Sequence, residues 1–217
     1  FALEQEGMVS LAANTAMAHA INAGLARNLL SEYNTANPNA TLTVAQALAS
    51  ADFLRFASKE IKDTIEHMGT MSTLFNSQGY ATFTSKENLV VEMLSQFENA
   101  LDTYLMSDTF HNEMVALPKH ERVPYWQGSG SSFDFDDTST IDVIHDDFIV
   151  AVTNPTGEIK QSGIICFLHD VENVAAYFGN RRSWEVYNER DDVVNHGEQA
   201  RKGFAVDTYA NSYVFYI

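Results

Sequence analysis

Residues 164–217 read IICFLHDVENVAAYFGNRRSWEVYNERDDVVNHGEQARKGFAVDTYANSYVFYI. The run Ile164 to Leu168 is short, apolar and bounded by Gly163 and by His169-Asp170, which predicts a buried strand rather than a helix. Asp170 is placed to cap a short helix over Val171 to Phe178, where Val171, Val174, Ala175 and Phe178 recur at helical spacing and Gly179 supplies a stop. Beyond Arg181-Arg182 the period changes to two, so Trp184, Val186 and Tyr187 are expected in a half-polar strand. The charged stretch Glu189 to Lys202 is expected as a loop, Gly203 to Tyr209 as a second strand and Tyr213 to Ile217 as a closing one. Cys166, the only cysteine, sits inside the apolar run, so it reads as a small core residue with no disulfide partner.

Upstream, Phe1 to Tyr33 is rich in Ala and Leu, and Met17, Ile21, Leu25 and Leu29 recur every fourth residue, as one helix face requires. A continuous helix here spans roughly 45 to 50 Å at about 1.5 Å per residue. Gly24 inside it costs about 1 kcal/mol relative to Ala. Asn14, His19, Asn22 and Arg27 argue against a membrane helix, and no stretch of the chain is long and apolar enough to span a bilayer. The chain starts at Phe1 without a signal-peptide pattern, which is expected of a soluble protein whose N-terminus was processed or lies upstream.

The middle of the chain alternates between the two periods. Thr35 to Asn39 is a turn, and Thr43 with Gln46 forms a capping box that opens a helical region to His67, broken near Ser50. Leu54, Ala57, Ile61, Ile65 and Met68 give that region its buried stripe, and Gly69 its stop. Tyr80 to Thr84 and Asn88 to Leu94 read as extended. Ser95 with Glu98 opens a second capping box, and Phe97, Ala100, Leu101, Tyr104 and Leu105 line the helix behind it. After Leu117-Pro118 comes a strand over Arg122 to Gln127, then a flexible Gly128 to Ser132 spacer and the acidic Phe133 to Asp137. A strand pair, Thr140 to Thr153 and Ile159 to Phe167, is joined through Asn154 to Gly157. Helices and strands mix without regular alternation, which predicts an α+β fold rather than a doubly wound parallel sheet.

Composition narrows function mainly by exclusion. With 29 Asp and Glu against 13 Lys and Arg the formal charge is -16, and the basic residues gather only as Arg181-Arg182 and Arg201-Lys202. Nucleic-acid affinity comes mostly from basic groups neutralising phosphates, so no direct nucleic-acid binding is expected. His145-Asp146-Asp147 and His169-Asp170 are the most enzyme-like features, since imidazole and carboxylate together bind divalent metals. Solvated turns and a helix cap account for them more simply. Asp134, Asp136 and Asp137 lack the spacing and terminal Glu of a calcium loop, and neither a nucleophile elbow nor a glycine-rich phosphate loop is present. Tyr209, Tyr213, Phe215 and Tyr216 read as core or subunit interface before they read as a sugar-binding surface.

The order of elements over 164–217, together with SKENLVVEMLSQFENALDTYLMSDTFHNEMVALPKHERVPYWQG at residues 85–128, resembles the major capsid proteins of tailed bacteriophages, closest to the phi-29-like head proteins of the Hong Kong 97 fold. The resemblance implies a structural subunit without catalytic, cofactor-binding or metal-binding residues. Many copies, as pentamers and hexamers, assemble into an icosahedral or prolate head that encloses DNA without specific binding, with no membrane involved. It implies a peripheral domain from residues 1–38 (the long spine helix) and 169–210 (the long strands), and an axial domain from 39–168 and 211–217. Scaffolding, portal and decoration proteins are the further partners it suggests, and the virion is the expected location. Family members carry an N-terminal arm and extended loop ahead of the spine helix, and this sequence shows neither before Phe1. A metal-dependent hydrolase using the His-Asp pairs, or a tail or cell-surface binding module using the aromatic strands, stay open at this point.

Overall fold

Helix α1 (Ala2–Asn22) ends because a glycine lets the chain reverse hand. Leu25 N–H donates to Ala20 O at 2.8 Å and Gly24 N–H to Ile21 O at 3.0 Å, with Gly24 at φ 78°. This is a Schellman stop, in which the paired bonds satisfy helix-end carbonyls and glycine accepts the left-handed backbone without a Cβ penalty. The expected single helix to Tyr33 is therefore corrected. After Gly24 the chain forms strand β1 (Ala26–Asn28) and helix α2 (Leu29–Ala36), for which the Asn28 side chain is the N-cap, accepting from Ser31 N–H at 2.6 Å. The structure, a computed structural model, describes residues 2–105, 120–127, 132–145, 148, 157–188, 190 and 192–217.

The helical middle follows its local signals. Helices α3 (Val44–Leu48) and α4 (Ala51–Met68) start at Thr43, with its capping box to Gln46, and at Ser50, which accepts from Phe53 N–H. Gly69 closes α4, and Phe53, Leu54, Ala57, Ile61 and Met68 are buried along it. Strand β2 (Leu89–Leu94) then runs directly into α5 (Ser95–Leu105). Residues 80–84 form only a single antiparallel bridge, Thr82 with Ser72.

Strands β3 (Glu121–Val123), β6 (Ile164–Asp170) and β9 (Ser212–Tyr216) complete a five-stranded sheet in the order β1-β9-β6-β2-β3. The two outer pairings are parallel and the two inner ones antiparallel. β6, buried along six of its seven residues, is the centre, as its unbroken apolar run predicted. After β3, Trp126 leaves the strand and inserts its indole into the core, so the expected strand to Gln127 is shorter. Helix α6 (Phe135–Thr138) leads to β4 (Ile141–Ile144), which pairs with β5 (Glu158–Gln161) in a separate ribbon. The predicted single strand from 159 to 167 is broken at Gly163 (φ 79°), which sends β6 into the other sheet. The Leu117-Pro118 turn, most of the 128–132 spacer and residues 154–156 of the expected turn lie outside the described residues.

The largest corrections fall between β6 and β9. Asp170 caps a turn, not a helix: its Oδ1 accepts from Glu172 N–H at 3.0 Å and its carbonyl from Asn173 N–H at 2.9 Å. Strand β7 (Val174–Asn188) starts at once and pairs antiparallel with β8 (Val193–Val206), which occupies most of the expected 189–202 loop. Val174, Ala176 and Phe178 are half-buried while Ala175, Tyr177 and Gly179 are exposed, so the period is two. The apparent helical spacing depended on Val171, which is exposed. Charged residues are tolerated through β8 because this ribbon has solvent on both sides over much of its length.

Gly163 also sits where the chain's end returns. Its N–H donates to Ser139 Oγ at 3.1 Å and its carbonyl accepts from Ile217 N–H at 2.9 Å, while a Cβ there would lie 2.1 Å from the Ile217 carbonyl oxygen. Gly24 has comparable φ but open space around it. In thermal denaturation, Gly24→Ala is expected to cost about 1–2 kcal/mol from the left-handed backbone alone. Gly163→Ala should cost clearly more, because the clash is with backbone that cannot rotate away. Equal losses at the two positions would contradict this packing.

Cys166 is fully buried in β6, and burial, with the Glu92 carboxylate nearby, pushes its thiol pKa up. It should be inert to an aromatic disulfide reagent in native buffer and react stoichiometrically once the protein is unfolded. Rapid labelling of the native chain would show that the sheet opens at β6.

Candidate assembly surface

Helix α1 lies against β9 of the main sheet, against the β4–β5 ribbon, and against β7 and β8. Asn14, Thr15, Ala16, Met17 and Ala18 are consecutive and all buried, so the helix has no solvent side there. Its packing residues are mostly alanines (12, 16, 18 and 20), which let neighbouring backbones approach closely. Asn14, though buried, is satisfied: its Nδ2 donates to Trp126 O at 3.1 Å, and the Trp126 indole in turn donates to Ile164 O at 2.9 Å. That chain of bonds fastens α1 to the central strand.

The β7–β8 arm has two unlike halves. Its base, through Val174, Ala176, Phe178, Phe204 and Val206, turns one face towards α1. Its distal half exposes Trp184, Val186, Tyr187, Val193 and Val194, and strand alternation places these on both faces. Tyr187 Oη donates to Asp192 Oδ1 at 2.6 Å across the tip, where Asp192 takes φ 51°, and this bond pushes the phenol pKa up.

Register determines which side chains share a face. Tyr177 and Trp184 are seven residues apart, so a regular strand would put them on opposite sides. A bulge between Gly179 and Arg182 inserts one extra residue and returns both to the face away from α1. There Tyr177 pairs with Gly203 and Trp184 with Gly197. A Cβ on Gly203 would meet the Tyr177 hydroxyl at 2.3 Å and its ring at 2.4 Å, and one on Gly197 the Trp184 ring at 2.3 Å. Each aromatic ring therefore lies over the glycine opposite. The two rungs between them carry Arg201, opposite Gly179, and Arg182, opposite Gln199.

The residues singled out as enzyme-like do not converge. His169 Nδ1 bonds the carbonyl of Asp170 at 2.9 Å, its ring stacks on Phe167, and the Asp170 carboxylate is taken up by the turn. His169 Nε2 is buried without a hydrogen bond, 3.9 Å from Glu92 Oε1. His145 instead joins a ring cluster with His19 of α1 and Phe148, and Asp146 and Asp147 lie outside the described residues. Among the described residues no group of three or more His, Cys, Asp or Glu could hold a metal, and no helix is long and apolar enough to cross a membrane. Asp134, Asp136 and Asp137 surround the start of α6, with Asp134 as its N-cap residue. Of the aromatic end, Phe215 is buried, Tyr213 and Tyr216 are half-buried against the core, and Tyr209 lies outside it against Tyr80. Glu98, expected in a capping box, reaches His120 Nε2 at 3.1 Å and Arg122 Nε at 2.5 Å.

A helix clamped between a sheet and a two-stranded ribbon defines a mixed helix-and-strand protein, and the ribbon is one of the places where large apolar side chains stay exposed. The chain belongs to the Phi29-like phage major capsid protein family, whose model matches residues 16–216. Membership carries a structural role in a phage capsid, and with it a place in the virion. No curated protein matches. Among solved structures, the capsid structure of Staphylococcus phage Andhra aligns at 14% identity and a TM-score of 0.44, covering 75% of this chain and 52% of that one. A chain from the head fiber and inner core protein gp22 structure of native bacteriophage P68 aligns at 11% identity and a TM-score of 0.48, covering 73% and 51%. The chain thus spans about half the length of the solved chains it matches.

Trp126 is buried and Trp184 is 49% exposed, so acrylamide quenching of the free subunit should report Trp184 almost alone. Gly197→Val should displace that ring, shifting the emission and the quenching constant while changing the melting temperature little, because an exposed ring can swing aside. An unchanged quenching constant would mean that the ring does not rest on Gly197.

Proposed function

We propose that this protein is a shell-building subunit with the Hong Kong 97 fold, many copies of which close into an icosahedral or prolate head around phage DNA. The observation that carries the reading is the packing of α1 against the arm and β9 at once, which makes one plate from the start and the end of the chain. Such a plate suits edge-to-edge tiling, in which repeated identical contacts close by symmetry.

In this reading residues 1–38 and 169–210 form the peripheral domain, and 39–168 with 211–217 the axial domain. The pairing of β1 with β9 argues for drawing the first boundary at Gly24, since Ala26–Asn28 hydrogen-bonds into the sheet of the axial body. Pentamers and hexamers are the units of the shell, and scaffolding, portal and decoration proteins are its further partners. The subunit is non-enzymatic and encloses DNA without gripping it, in keeping with a formal charge of -16.

Negative-stain microscopy and sedimentation of the full-length protein test this. Closed particles of hundreds of copies are expected. A protein that remains a monomer or small oligomer under all assembly conditions, scaffolding protein included, would sink the reading.

A further inference from the structure

We propose that the outer face of the β7–β8 arm docks onto an acidic surface of a second copy of this chain, with Arg182 and Arg201 meeting carboxylates and Trp184 and Tyr177 supplying apolar contact on either side. This rests on the shell-building reading above and specifies one contact through which it is achieved.

Three observations lead to it. First, a two-stranded ribbon is marginal in water on its own, and only the base of this one is covered by α1. On the outer face its distal half keeps Trp184, Val186 and Val193 open, a contiguous apolar patch of the kind that marks an interaction site. Second, the face is built rather than accidental. The bulge brings both rings to one side, and two glycines let them lie flat on the sheet, leaving the two arginines between them. Flat aromatic rings flanking guanidinium groups have the composition found at the centres of protein interfaces.

Third, charge is segregated. Residues 174–206 hold five Lys and Arg and five Asp and Glu, so the whole formal charge of -16 belongs to the rest of the chain. Arg182 and Arg201 are exposed, and neither takes part in an ion pair among the described residues. The face that carries them is complementary to the surface that every other copy presents. DNA is the less fitting polyanion. Two guanidinium groups make a short stripe, Glu198 and Glu185 sit on the reverse face at the nearby Ser183 and His196 rungs, and the acidic body repels phosphate.

The test is charge reversal, Arg182→Glu with Arg201→Glu, in the full-length protein. Circular dichroism and the melting temperature of the subunit are expected to stay at wild-type values, particle yield to fall at least tenfold, and Arg182→Lys with Arg201→Lys to retain most of it. In wild-type particles Trp184 should lose its acrylamide quenching. That measurement decides the matter alone if the reversal unfolds the arm. Wild-type yield from the reversed variant, Trp184 still quenched in particles, or a variant that assembles normally but loses DNA binding in a gel-shift assay would each overturn the proposal. If the wild-type protein itself never forms particles, the shell-building reading fails and this contact fails with it. If the wild type and the reversed variant assemble alike, only the contact is lost.

Discussion

The structure depends on the insertion of β9 between β1 and β6. Residues 214–216 pair with Ala26 to Asn28 on one side, and residues 212–216 pair with the buried β6 on the other, while Val214 N–H reaches the Leu25 carbonyl just past the helix stop. One short strand at the end of the chain thus hydrogen-bonds both to a strand near its start and to the buried central strand. The pairing of β9 with β1 spans almost the whole sequence, so it carries a large loop-closure cost and forms late. The sheet can close only when nearly all of the chain is available. The same strand supports α1, so the helix, the sheet and the base of the arm become ordered together.

With α1 held this way, its composition follows. A helix with neighbours on every side needs small residues where backbones approach and a partner for each polar group. Alanines meet the first need, and the bond from Asn14 to Trp126 meets the second. An every-fourth-residue stripe describes a helix with one wet face, and that is why the spacing of Met17, Ile21, Leu25 and Leu29 misled. Met17 and Leu25 are buried, but Leu29 belongs to another helix.

What was legible in the sequence was whatever local chemistry determines. The capping box at Thr43, the stop at Gly69, the unbroken run of β6 and the aromatic alternation of β9 all appear where they were read. The arm was half legible. Its charged return strand reads as a loop because strand patterning relies on one dry face, and this ribbon has little of one beyond its base. The face bearing Arg182 and Arg201 was not legible at all. Counting by twos from Tyr177 places Trp184 on the wrong side, and only the bulge, a feature of pairing rather than of composition, corrects the register.

Charge segregation gives that geometry a kinetic meaning. Two bodies that each carry the chain's negative charge repel at separations out to about one Debye length, roughly 8 Å at physiological salt. The arm, neutral overall and basic on its shaft, is the part of the chain that escapes this repulsion. Approach of two subunits body to body is therefore disfavoured, and approach arm to body is selected before any apolar contact forms. Once the arm is within the screening length, burial of the rings provides the short-range attraction, and pairing with carboxylates offsets the cost of desolvating the guanidinium groups. An acidic surface thereby becomes a means of orienting partners, and the orientation it selects is directional, arm of one copy to body of the next, as a closed ring of identical subunits requires.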